Sequence, residues 1–247
     1  MLVFFQRTRL ILFAALFYTA SLCAQEINDD IDPWEPMNRA IFSFNKGADT
    51  YFLRPIAQGY NWIMPSPLNR GVTNFFDNTF EVNTMLNSGL QAKPGNFGLS
   101  FSRFLINATL GFFGLFDVAT ELGVHADVED FGQTFAHWGI GSGPYLVIPF
   151  LGPSNVRDGI GLIPNIYINP LIAVDNDPVV NYARLGLYLI DLRADLIEAE
   201  DLITGDEYIF MRNAYLQNRE FLINDGAIED SFGDDLDESD DWLDDDF

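Results

Sequence analysis

Few side chains in this sequence could do chemistry, and their spacing argues against most reactions. The histidines are His125 and His137. His125 stands close to Asp127, Glu129 and Asp130, the residue types of a metal site. One imidazole among loop carboxylates still falls short of the convergent nitrogen and sulfur ligands that zinc takes. Ser142 lies in Gly139-Ile140-Gly141-Ser142-Gly143-Pro144. A hydrolase elbow reads G-x-S-x-G, and Ile140 stands where its first glycine belongs. No glycine run leads into a Lys-Ser or Lys-Thr pair, so a phosphate-binding loop is missing. Paired carboxylates crowd the C-terminal end, where open water leaves their pKa values alone. The residues nominate no catalytic group, no metal ligand and no cofactor.

The element around Ser142 is more informative than Ser142 itself. From Phe131 to Trp138 there is room for two helical turns, stopped at Gly139. Gly139, Gly141, Gly143 and Pro144 then forbid regular structure and let the backbone turn tightly. Tyr145 to Leu151 is almost wholly apolar, interrupted by Pro149, and Ser154 reads as the N-cap of a new helix. Leu146, Ile148 and Phe150 in this run are either buried core or lipid contacts.

The elements before it read as helices. Asp32 as N-cap, Pro33 and Glu35 open the first, with Met37, Ile41, Phe44, Ala48 and Tyr51 on one face and Arg39, Asn45 and Lys46 elsewhere. Pro55 interrupts, and Pro65-Ser66-Pro67 ends the next segment. Leu68 to Leu90 reads as short helices, because Asn69, Asn74, Asn78, Asn83 and Asn87 are poor helix formers that need bonds to neighbours. Pro94 to about Leu110 is a better helix, with Phe97, Phe101, Phe104, Leu105 and Ala108 on one face. It runs into Gly111-Phe112-Phe113-Gly114-Leu115-Phe116, which is too short and glycine-broken for a span of about 20 residues. Phe112, Phe113, Leu115 and Phe116 form either a core hairpin or an interfacial segment.

After the central stretch, Asp177-Pro178 starts what reads as the longest helix, reaching about Leu202. Leu185, Leu189, Leu192, Leu196 and Ile203 make its apolar face, and Asp191, Arg193, Asp195 and Glu198 look outward. A last helix runs from Glu207 to about Asn224, with Gly226 as its stop. Strand signals are thin, so the fold is mainly α and a single domain.

The two ends are different material. Residues 1–24 resemble a secretory signal, with Arg7 and Arg9 before the apolar run Leu10 to Phe17. Cys23, the one cysteine, stands where a lipoprotein's first mature residue would, although Ala20 and Leu22 make a degenerate lipid box. The signal therefore ends at residue 24, or at residue 22 with Cys23 lipidated. The domain spans residues 25–226, and residues 227–247 form an acidic, solvated tail. The net charge of −23 excludes nucleic acid as a partner and repels anionic headgroups, so membrane attachment requires apolar insertion or an acyl anchor.

Taken in order, the residues resemble the VacJ, or MlaA, family of outer-membrane lipoproteins. The resemblance rests on Asp32-Pro33-Trp34-Glu35, Asn38-Arg39, Phe42-Ser43-Phe44-Asn45 and Arg54-Pro55. It continues through Arg103 to Asn107, Leu110-Gly111, Phe116 to Ala119, Phe131-Gly132-Gln133-Thr134, Arg157-Asp158 and Tyr208 to Glu220. It implies an α-helical ring in the periplasmic leaflet of a Gram-negative outer membrane, with an amphipathic channel for phospholipid that has strayed into the outer leaflet. It further implies a trimeric porin that holds the ring and a soluble periplasmic carrier that receives the lipid. Two other classes fit the bare residues: a lipid-cleaving esterase, and a structural porin partner without transport.

Overall fold

Helix α1 (Glu35–Ala48) starts later than the sequence signals place it. Asp32 is not its cap: the N-cap position is Trp34, which makes no side-chain bond. The Asp32 carboxylate is buried and takes Asn38 Nδ2 at 2.8 Å, the Tyr208 hydroxyl, and Arg212 Nη1 at 3.2 Å. Charge-assisted partners in the core outcompete a helix N–H for that oxygen. This computed structural model describes residues 31–168, 177–197 and 205–226. The signal segment, Cys23, Glu198, Leu202, Ile203 and the acidic tail lie outside the described residues.

Pro55 does not break the chain's course. A π-helical turn (Asp49–Leu53) leads from α1 into α2 (Arg54–Ile63) without leaving helical conformation, and this wider turn stands where the ring and absent N–H of Pro55 would break regular α-helical bonding. Next, α3 (Ser66–Leu90) is one helix of 25 residues rather than several short ones, and it is longer than the helix from Pro178. Its asparagines are held from outside: Asn74 Nδ2 donates to the Leu115 carbonyl at 3.2 Å, and Asn87 Oδ1 accepts from Thr134 Oγ1 at 2.7 Å. Tertiary bonds thus offset the poor propensity. Helix α4 (Pro94–Thr109) folds back along α3, and the short α5 (Val118–Glu121) is capped by Asp117.

Four further helices follow the predicted order: α6 (Phe131–His137), α7 (Val156–Ile168), α8 (Pro178–Asp195) and α9 (Glu207–Ile223). Asp130, Asp177 and Asp206 cap α6, α8 and α9 through their side chains. Between α6 and α7 the sequence reading missed an antiparallel hairpin, β1 (Tyr145–Ile148) and β2 (Gly152–Asn155), with Tyr145 opposite Asn155 and Ile148 opposite Gly152. Ser154 belongs to β2. The side chain that accepts from the first turn of α7 is Asn155, whose Oδ1 takes Asp158 N at 2.8 Å.

The interior is polar. Among the described residues, eight buried residues are apolar and seventeen are polar or charged. The apolar stripes read along the helices face outward. On α1, Met37 and Phe44 are exposed while Asn38 is fully buried, and Tyr51 in the following π turn is exposed as well. On α4, Phe97, Phe101 and Leu105 are exposed while Ser100 and Asn107 are buried. On α8, Leu189 and Leu192 are exposed, as is Leu196 at its C-cap, and Asp191, expected outside, is 2% exposed. Asp191 accepts from Tyr60 Oη at 2.7 Å and Thr73 Oγ1 at 2.9 Å, and Arg193 turns inward to Asp49 at 2.7 Å. The spacing of apolar residues along a helix tells which face is apolar, not which solvent meets it. No described helix is long and apolar enough to cross a membrane.

Candidate functional site: a hairpin clamped over a polar interior

The glycine loop leads directly into the hairpin. Gly139 (φ 85°) and Gly143 (φ 65°) hold left-handed conformations that suit glycine, whereas Gly141 is not among the positive-φ residues. The tight turning therefore rests on two of the three predicted glycines. Ser142 is exposed, and its carbonyl accepts Arg157 N at 3.0 Å. His137 and His125 are both exposed, at the end of α6 and in the loop after α5. Glu129, expected among exposed acids, is buried at 2% exposure and pairs with Lys93 Nζ at 2.8 Å.

Two asparagines on α1 hold the hairpin's free edge. Asn38 Nδ2 donates to the Tyr145 carbonyl at 3.1 Å, and Asn38 Oδ1 accepts Val147 N at 2.9 Å. Seven residues on, Asn45 Nδ2 donates to the Ile148 carbonyl at 2.9 Å and its Oδ1 accepts Phe150 N at 2.8 Å. A side-chain amide offers one donor and one acceptor, as a strand residue does, so the pair closes an edge that would otherwise lie open. The spacing of seven is two helical turns and puts both amides on one face. At the tip, Phe150 (φ 64°) meets Phe44 edge to face at 5.2 Å. Arg39, next to Asn38 in sequence, instead pairs with Glu35 and Asp206 on the surface.

Below the hairpin, polar and charged groups from β2, α7, α9 and the cap of α6 converge. Arg219 on α9 makes two bonds to Asp130, at 2.6 and 2.7 Å, and its Nε lies 2.6 Å from Asp158 Oδ2. Asp158 also takes Tyr215 Oη at 2.6 Å, Asn155 Nδ2 at 2.7 Å and Arg157 Nε at 2.9 Å. Burial alone would raise the Asp158 pKa; the Tyr215 hydroxyl and the two guanidiniums outweigh it and hold it below the usual carboxylate range. Burial, then the Asp158 carboxylate, pushes the Tyr215 hydroxyl up. A Cβ on Gly132 would lie 2.2 Å from Arg219 Nη2, and one on Gly161 would lie 2.8 Å from Gly132 N. These two glycines are thus spacers for the close crossing of α6 and α7. The sequence reading named Arg157, Asp158 and the stretch Tyr208 to Glu220, but it did not gather Tyr208, Arg212, Tyr215 and Arg219 into one site. Their spacing of four, three and four marks one helical face and was the available signal.

A second polar cluster joins α3, α4 and α5. Arg103 bonds Glu81 at 2.6 Å and the Val124 carbonyl at 2.7 Å, and Asn107 links Asp117 at 3.0 Å to Ala119 N at 2.9 Å. Nearby on α3, Asp77 is exposed at the surface while protein crowds its carboxyl from several sides. Burial, then the charges of Asp117, Asp191 and Glu81, pushes its carboxyl up to about 6 against the partial relief of Arg103. A folded-state pKa above the unfolded one means that the charged form opposes folding. Stability from this group is therefore gained as pH falls through about 6. Asp77→Asn is expected to raise the thermal midpoint at pH 7.5 and to flatten the rise between pH 7.5 and 5. Equal pH slopes in both proteins would contradict it.

Of the candidate membrane contacts, Phe112, Phe113, Phe116 and Phe150 are more than 60% exposed, whereas Leu115, Leu146 and Ile148 are half-buried. Phe112 and Phe113 both hold positive φ (51° and 61°) in the turn after α4, which lifts two large apolar rings off the body. A bulky residue in that conformation is uncommon and costly, so the surrounding turn must enforce it.

Comparison with known proteins places this architecture. The family model of the MlaA lipoprotein matches residues 30–222. A protein of Escherichia coli named intermembrane phospholipid transport system lipoprotein MlaA is 33% identical over 204 residues, which cover 80% of each chain. Its namesake in Haemophilus influenzae is 30% identical over 214 residues, covering 84% of this chain and 85% of the other. An uncharacterised protein of Rickettsia typhi is 38% identical over 196 residues, 76% of each chain. A solved structure described as the structural basis for maintenance of bacterial outer membrane lipid asymmetry aligns with a TM-score of 0.65 at 31% identity, covering 78% of this chain and 99% of that one. Match length and identity agree with the fold, and the chain belongs to the MlaA lipoprotein family.

Proposed function

We propose that this protein is the outer-membrane component of an intermembrane phospholipid transport system. It removes phospholipid from the outer leaflet and so maintains lipid asymmetry. The observation that carries this reading, beside the family, is the reversed polarity: apolar rings outside, asparagines and ion pairs inside. A body immersed in acyl chains gains nothing by burying its apolar faces, while polar groups must be satisfied within protein. A phospholipid, with a polar head and apolar tails, needs a path with both kinds of wall.

In this reading the body sits on the periplasmic side of the outer membrane, with Phe112, Phe113, Phe116 and Phe150 in the hydrocarbon. A trimeric porin holds it, and a soluble periplasmic carrier takes the lipid onward. No chemical step is required. Gentle extraction is expected to bring intact phospholipid with the purified protein. Turnover of that lipid would support an esterase, and protein free of lipid would support a purely structural role.

Attachment has two parts in this proposal, an acyl chain on Cys23 and the exposed rings. Cys23→Ala protein, if exported, is expected to stay with the outer-membrane fraction. Finding it wholly in the soluble periplasmic fraction would show that the rings do not insert.

A further inference from the structure

A cavity of about 220 Å³ lies under the hairpin, between β2, α7 and α9. Ile148, Leu151, Pro153 and Leu162 give its lining an apolar wall, and Asp130, Asp158, Tyr215 and Arg219 give it a polar one that meets the apolar side along α7, where Asp158 and Leu162 are one turn apart. The charges of the polar wall are already engaged: Arg219 bridges Asp130 and Asp158, and Tyr215 donates to Asp158. Asn165, at the rim, accepts from Asn83 at 3.3 Å. Such a wall has no charge left for a headgroup, since drawing Arg219 to a phosphate would strand two carboxylates. The apolar wall has no such partner. A dry cavity of about 150 Å³ lined by aliphatic residues is enough to take up benzene, so this one has room for the end of an alkyl chain.

We propose that this cavity is a holding site for one acyl chain of a phospholipid in transit, with the head outside it. The proposal rests on the transport reading above. The hairpin forms the cavity's lid on the Ile148–Pro153 side, and the asparagine clamp on α1 fixes that lid's position. Leu162, half-buried on α7, is the residue whose size decides whether a chain fits.

The test fills the cavity in two ways and reads transfer of labelled phosphatidylethanolamine out of vesicles that contain the full chain. Leu162→Trp is expected to lower the transfer rate at least fivefold while helical content and thermal midpoint stay near wild type. Because a tryptophan there could disturb folding, a second arm uses Leu162→Cys in a Cys23→Ala background. Folded protein is labelled with methyl or octyl thiosulfonate, so that an alkyl chain is added after folding. The octyl adduct should transfer at least fivefold more slowly than the methyl adduct. Equal rates for the two adducts would overturn the assignment even with transport intact. If the wild-type chain itself transfers no lipid, the transport reading fails instead, and the acyl-chain assignment falls with it.

Discussion

Asn38→Leu is expected to destabilise the protein by roughly 3 kcal/mol, at about 1–3 kcal/mol for each buried backbone group left without a partner. Those groups are the Tyr145 carbonyl and Val147 N–H, and Asp32 loses a donor as well. Leucine matches asparagine in length, so the loss is one of bonds rather than volume. For a chain of this size the drop corresponds to roughly 6–12 °C in the thermal midpoint. Asn45→Leu breaks the same two kinds of bond nearer the tip, where the Phe150 end reaches water. It should cost about 1 kcal/mol, since groups that water can reach pay little for a lost partner. Unfolding followed by circular dichroism in detergent measures both. A midpoint for Asn38→Leu within 2 °C of wild type would show that the hairpin's edge is satisfied some other way.

Arg219→Met should have an effect of similar size for a different reason. Removing one member of a buried ion cluster leaves charge without compensation, at about 3–5 kcal/mol. The lower end of that range applies, because Asp130 is about one-third exposed and regains some water. The pH dependence separates this cause from lost packing. In wild type, Asp158 titrates below the usual range, and its contribution to stability is lost only as pH falls through that low value. Without Arg219 the Asp158 pKa rises, so the deficit should be largest near neutrality and shrink as the solution is acidified. Adding Asp130→Asn to Arg219→Met should recover part of the loss. A deficit that does not change with pH would assign Arg219 to packing alone.

How much of this was legible in the sequence follows from which solvent each residue meets. Pro94, Asp177-Pro178, Gly139 and Gly226 punctuate helices by backbone geometry, and those boundaries came out as expected because geometry does not depend on surroundings. Facing was read wrongly on α8, because Leu192 was assumed to flee water, whereas on α1 and α4 the apolar face was named without a side. Asp191 was put outside by the same assumption. The hairpin was missed since Tyr145 to Leu151 is apolar without alternation, and its partner strand Gly-Pro-Ser-Asn has little β propensity. What makes it a strand is the clamp from Asn38 and Asn45, which no local pattern announces. The candidate site was half visible: Asn38, Asn45, Asn107, Arg157 and Asp158 were named, but Asp32 was spent on a cap it does not make.

The claim that this chain conducts phospholipid and does no chemistry on it is tested most directly on the surface of cells. The measurement is the amount of phospholipid in the outer leaflet, by headgroup labelling of intact cells, with the lipid classes resolved by mass. A conduit predicts that surface phospholipid rises severalfold when the chain is absent and returns to normal with the wild type or with Ser142→Ala, while lysophospholipid does not change. Unchanged surface phospholipid in cells lacking the chain would contradict it, as would a lysophospholipid pool that appears only when the chain, with Ser142 intact, is present.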